Sequence, residues 1–154
     1  MLTSILALYF RQFVDSNAAV GLIFFIGYLS AFISNIYASH IVEHLQKRKT
    51  LLLAFIIFTV IFAGFAVAQH STIVLLLFAV YQFTLALFVL DIGLYIKHYS
   101  NLRVLAENTG KLGSFSNIGW MIGPLLGSLI AATFGFEAVF LLSASVALIA
   151  LLVF

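Results

Sequence analysis

At 154 residues, 64% hydrophobic and 8% charged, with a mean hydropathy of +1.23, the chain carries too few charges to meet water as a globular domain. Soluble domains run near a quarter charged, roughly three times this share, and disorder is excluded by the same shortage of polar residues. The absence of cysteine removes disulfide frameworks, thiolate zinc sites, iron–sulfur clusters and a cysteine nucleophile, and the seven basic residues behind the +2 charge are scattered too widely to form a nucleic-acid face.

In chain order, residues 1–14 are apolar but reach only about 21 Å as a helix, short of a bilayer crossing, so they read as a partial helix. A signal peptide is a poor fit, because the basic start and the small-residue cleavage site are both missing. Residues 16–42 contain no Asp, Glu, Lys or Arg, and neither do residues 50–90, where Gln69, His70 and Ser71 divide two arms. Residues 112–136 are uncharged again, Glu137 interrupts, and 138–154 are apolar to the end. A hydrocarbon core of ~30 Å needs about 20 such residues per helix. The predicted elements are a partial helix over 1–14 and helices over 17–43, 50–68, 72–97, 111–134 and 137–154. Together they make one all-α integral membrane domain, residues 1–154. Strands are not expected, since barrel strands alternate polarity and these runs do not. Both ends stop inside apolar runs, and the chain is expected to be a fragment.

Lys47, Arg48, Lys49, Lys97, Arg103 and Lys111 fall in the connections 43–50 and 97–111, with only Arg11 in the opposite set. Basic residues are retained on the cytoplasmic side. Those two connections are therefore predicted to be cytoplasmic, in a multi-pass protein of the plasma or inner membrane.

Polar residues inside membrane helices must find partners, so each is a candidate for lining a cavity or for bonding between helices. Asn35, Tyr81, Gln82 and Asn117 are the candidate cavity residues, Gln82 because it falls about mid-helix beside the Tyr81 ring. Thr84, Ser114 and Ser116 belong to the same set. Asp91 is the only acid in an otherwise apolar helix. His40 and His44 flank Glu43, but the zinc-protease pattern places Glu directly after the first His, so no metal site is expected. The acids Asp15, Glu43, Asp91, Glu107 and Glu137 are too dispersed for a catalytic pair. No phosphate loop and no catalytic triad is recognisable, so neither enzyme activity nor a cofactor is expected.

Two motifs carry a family resemblance. The run 39–49 resembles the loop between helices 2 and 3 of the major facilitator superfamily, whose pattern is Gly, three residues, Asp, Arg or Lys, any residue, Gly, then basic residues. Ser39 stands at the first Gly, Glu43 at the Asp, His44 at the Arg, Gln46 at the second Gly, and Lys47 with Arg48 at the basic pair. The run Gly119-Trp120-Met121-Ile122-Gly123-Pro124-Leu125-Leu126-Gly127-Ser128 resembles the superfamily's helix 5 signature, with Ser128 in place of its last Gly. Gly119, Gly123 and Gly127 strip one helix face so that another backbone can approach, and Pro124 frees a carbonyl one turn back.

The resemblance spans essentially the whole chain. It implies the amino-terminal six-helix half of the superfamily's fold, with helix 1 partial and helix 6 clipped. It implies a secondary transporter that moves a small solute by alternating access, driven by an ion or solute gradient. The implied partners are the lipid bilayer, the solute, a coupling ion, and the carboxy-terminal half or a second copy. It further implies that Lys47 pairs with Asp91, the acid near the inner end of helix 4, as a latch on the outward-facing state. The helix 5 signature is associated chiefly with antiporters, whereas the helix 4 Arg of the drug-efflux branch has no counterpart here. The competing expectation is a small stand-alone membrane protein with a structural or assembly role.

Overall fold

A computed structural model describes residues 3–153, apart from the side chains of residues 3, 4, 39, 43–45 and 102. Five helices follow one another: α1 (Thr3–Phe10), α2 (Asn17–Leu45), α3 (Lys47–Val67), α4 (Ser71–Tyr99) and α5 (Leu102–Val153). There is no strand among the described residues. The last four are long and apolar enough to cross a membrane. α5 is broken at Gly135, whose φ of 84° and ψ of 170° are not helical, into a first arm over 102–134 and a second over 136–153. A positive φ paired with an extended ψ is open essentially to glycine alone, so this residue is what lets one apolar run turn back on itself.

The helix ends follow from local chemistry. Ser16 caps α2, its Oγ accepting from the Ala19 N–H at 3.0 Å, and Arg11 ties the preceding turn down by donating to Asn17 Oδ1 at 2.8 Å. α2 and α3 are joined by the single residue Gln46, at φ 64° and ψ 127°, so the basic residues Lys47, Arg48 and Lys49 form the first turn of α3, where a connecting loop over 43–50 was expected. The connection expected over 97–111 is likewise mostly helical: α4 runs to Tyr99 and α5 begins at Leu102. Its charges sit on helix, held by the Glu107–Lys111 pair at 2.7 Å. Charge density marks where the bilayer ends, while the helices run on past it.

α2 packs chiefly on α4, and α3 lies between α4 and α5. On α3 the buried residues Leu51, Ala54, Phe58, Ile61 and Phe65 recur every three or four positions, as do Val74, Phe78 and Tyr81 on α4. These stripes meet in one cluster with Leu6, Tyr9 and Phe10 of α1, Ile23 of α2, and Val139, Phe140 and Ala147 of the second arm of α5. Short as it is, α1 is anchored: the Tyr9 hydroxyl donates to the Phe65 carbonyl at 2.6 Å, satisfying a group left open in the last turn of α3. The Tyr9 ring meets those of Phe65 and Phe140 edge-on. Outside this cluster the helices expose many Leu, Ile, Val and Phe side chains, as the helices of a lipid-solvated bundle do.

Candidate functional site

The α2–α4 interface begins with small residues. Gly27, Ser34 and Ala38 are buried on one stripe of α2, and a Cβ on Gly27 would run into the Phe78 ring. With the backbones this close, Ser30 Oγ donates to the Ala79 carbonyl and Ser34 Oγ to the Phe83 carbonyl, both at 2.8 Å. Four residues further along α2 matches four further along α4, so the two helices run in the same direction. The same two bonds fix the register and set Asn35 level with Gln82 and Phe83. Gln82 lies about 16 Å along α4 from Ser71, near the middle of a ~30 Å hydrocarbon core.

At that level an open cavity of about 360 Å³ lies between α2 and α4, lined by Tyr28, Ala31 and Asn35 on one side and by Gln82, Ala86 and Val89 on the other. The spacings 28, 31, 35 and 82, 86, 89 each keep to one helix face. Gln82 is only 4% exposed, yet its carboxamide has no hydrogen-bond partner among the described residues, and neither has the more exposed carboxamide of Asn35. Tyr81 points elsewhere. It lines an aromatic pocket of about 290 Å³ with Phe55, Phe58, Phe62 and Phe88, closed by Ser143 of the second arm of α5. Asn117 stands exposed on the first arm of α5, outside the α2–α4 cavity. Of the four candidate cavity residues, two share one space.

The acid of α4 is fully buried. Asp91 has no exposed surface, and neither carboxylate oxygen has a hydrogen-bond partner among the described residues. Lys47 is close enough to act on it electrostatically, but the two do not close into an ion pair; among the described residues the only pair within 4.0 Å is Glu107–Lys111. Lys47 and Arg48 instead line a polar cavity of about 710 Å³ with Gln46, Val42, His98 and Tyr99. The side chains of Ser39 and Glu43, the other two loop-motif residues, lie outside the described residues.

The Gly–Pro run is helical throughout, with Pro124 inside the first arm. Gly123 and Gly127 are the only buried positions among the described residues of this arm. A Cβ on Gly127 would run into Ile5 of α1, whereas one on Gly119 would meet open space. Ser128, at the place of the signature's last Gly, donates its hydroxyl to the Leu125 carbonyl of its own helix at 2.9 Å.

The family model of the Major Facilitator Superfamily matches residues 1–154. The chain belongs to that superfamily. It is a multi-pass membrane protein of a transporter family, and the four long apolar helices are what that membership requires. No curated protein matches the chain. Within a superfamily transporter, the α2–α4 cavity, the Lys47–Asp91 neighbourhood and the glycine face of α5 are three separate features along the bundle.

Sequence reading missed Gly27, Ser30 and Ser34. The signal was present: small residues three or four apart on a membrane helix mark a face where another backbone can approach.

Proposed function

We propose that the chain supplies one half of a solute pathway, with the α2–α4 cavity as its share of the binding site, and that it works by alternating access against a second half or a second copy. The observation that carries this reading is Gln82. Its side chain is largely buried and meets the cavity with no hydrogen-bond partner among the described residues, and an amide so placed at mid-membrane is costly unless it meets water or a ligand for part of the cycle. Stitched together by Ser30 and Ser34, α2 and α4 would move as one body, while the loosely held first arm of α5 is free to take up a partner. Lys47 and Asp91 would serve as the latch. A buried carboxylate without a partner fits a contact made in one state and released in another, with the pair closing when the transporter faces outward.

In this reading the ends bearing Lys47, Lys97 and Arg103 are cytoplasmic, following the excess of basic residues there. Cysteine at Ser71 should react with an impermeant thiol reagent from outside, and cysteine at Gln46 or Asn101 only from inside. For alternating access the test is Ala86→Cys, placed at the gene's own locus and read by peptide mass spectrometry after labelling from either side. Reaction from both sides, in proportions that shift with Asp91→Asn, is the expected result. Reaction from neither side or from one alone would favour a structural role in the membrane.

A further inference from the structure

We propose that the α2–α4 cavity selects an uncharged solute that carries a hydroxyl or amide group beside an apolar surface. The inference rests on the reading of this cavity as part of the solute pathway and adds the chemical class of what enters it.

The polar complement of the cavity is neutral and two-signed. Gln82 and Asn35 each offer two N–H donors and a carbonyl acceptor, at the same level of the bundle because the two serine bonds fix the register. None of these groups has a hydrogen-bond partner among the described residues. A carboxamide presents donor and acceptor side by side, the arrangement that meets an amide or a hydroxyl pair with two parallel hydrogen bonds.

Charge is absent from the lining. Among the described residues no Asp, Glu, Lys, Arg or His borders the cavity. Asp91 is on α4 but is buried in the packing without exposed surface, and Lys47 lines a different cavity. An ion brought to mid-membrane here would lose its hydration and find no counter-charge in the described lining. The remaining walls, Ala31, Leu85, Ala86, Val89 and Leu90, are apolar and reward a ligand with a hydrocarbon or ring face. The volume of about 360 Å³ is at the small end of the range for ligand sites.

Three probes of one shape separate the possibilities: benzamide is neutral, benzoate is its anionic counterpart and benzamidine its cationic one. The chain has no native cysteine, so Ala86→Cys in nanodiscs reports on the cavity through its rate of reaction with a maleimide. At about 10 mM, a probe of Kd about 1 mM slows labelling roughly tenfold. Benzamide is expected to protect to that extent and the two ions far less. Gln82→Leu should abolish the protection, while Asn117→Leu, on the exposed arm of α5, should leave it intact. Should Gln82→Leu not hold its fold, Asn35→Leu at the mouth of the cavity replaces it. Equal or stronger protection by either ion, no protection by benzamide, or protection unchanged by both cavity variants would overturn the proposal. The transporter reading fails separately, if Ala86→Cys in the absence of any probe is labelled from one side alone or from neither.

Discussion

The α2–α4 pair and the first arm of α5 use the same residue types to opposite effect. Both present glycines and serines along one face. On α2 that face is filled: Gly27 takes the Phe78 ring and Ser34 donates across to α4. On α5 only Gly123 and Gly127 are covered, Gly119 faces open space, and Ser128 folds its hydroxyl back onto its own helix. A run of small residues permits close approach without ensuring it. What decides is whether a partner stands opposite: α4 does so for α2, and among the described residues α1 does so for the first arm of α5 at Gly127 but not at Gly119.

The sharpest way to break this contrast is to fill both faces. Gly27→Leu drives a side chain into Phe78, which is fully buried and has nowhere to go, so the loss of stability in detergent should reach about 3 kcal/mol or more. Gly119→Leu should cost nothing measurable and gain slightly in helix propensity. Comparable thermal midpoints for the two variants would remove the distinction between filled and unfilled faces.

Gly123→Leu, at the covered part of the α5 face, should lie between those two, at about 1 to 3 kcal/mol. Leu125→Ala, on the same arm but 70% exposed, should be close to neutral. Equal losses at 123 and 125 in the same unfolding assay would mean that α5 turns a different side to α1.

At the inner end of the α2–α4 unit, Gln46 holds a positive φ of 64°, at the place where the superfamily's loop pattern carries glycine. The packed helices on either side hold this non-glycine residue in that conformation. Gln46→Gly should therefore stabilise the chain by about 1 to 2 kcal/mol, less the entropy that glycine adds to the unfolded state. A variant that melts below the parent would show that the Gln46 side chain contributes more than its backbone costs.

Removing the stitches tests the pair itself. Ser30→Ala and Ser34→Ala should each cost about 0.6 kcal/mol, the average for hydrogen bonds between membrane helices, with an upper end near 1.7. Because both bonds set one register, the double variant should depart from additivity. Strict additivity would make them independent contacts.

The smallest effect is expected at the proposed latch. Asp91→Asn and Lys47→Gln should each shift the two-sided labelling ratio of Ala86→Cys by a few-fold, and the exchange Lys47→Asp with Asp91→Lys should restore part of it. Purely additive single changes would show that no coupling exists between the two residues.

Much of this molecule was legible beforehand. Apolar run length located the helices, because a bilayer demands about 20 uncharged residues per crossing whatever the fold, and Gly135 fell in the expected break between the last two runs. The Gly–Pro run and the loop after helix 2 carried the family. Helix ends near the charges were misjudged, since Lys47 to Lys49 and Glu107 to Lys111 obey helix chemistry outside the membrane as readily as loop chemistry. Gln82 and Asn35 stood out as polar residues in apolar helices, but nothing in their local sequence could pair them with each other and separate Tyr81 and Asn117 from them.

Composition and run length thus determined by themselves that the chain spans a membrane as helices, because the cost of exposing backbone and charge to hydrocarbon is paid segment by segment. Which polar residues share a space was decided only in three dimensions. Two serine hydroxyls set the register of α2 against α4, and register is a relation between helices far apart in sequence that neither helix encodes alone. The surroundings of Asp91 are likewise a matter of packing: the carboxylate that the family resemblance pairs with Lys47 is buried and forms no ion pair with it among the described residues.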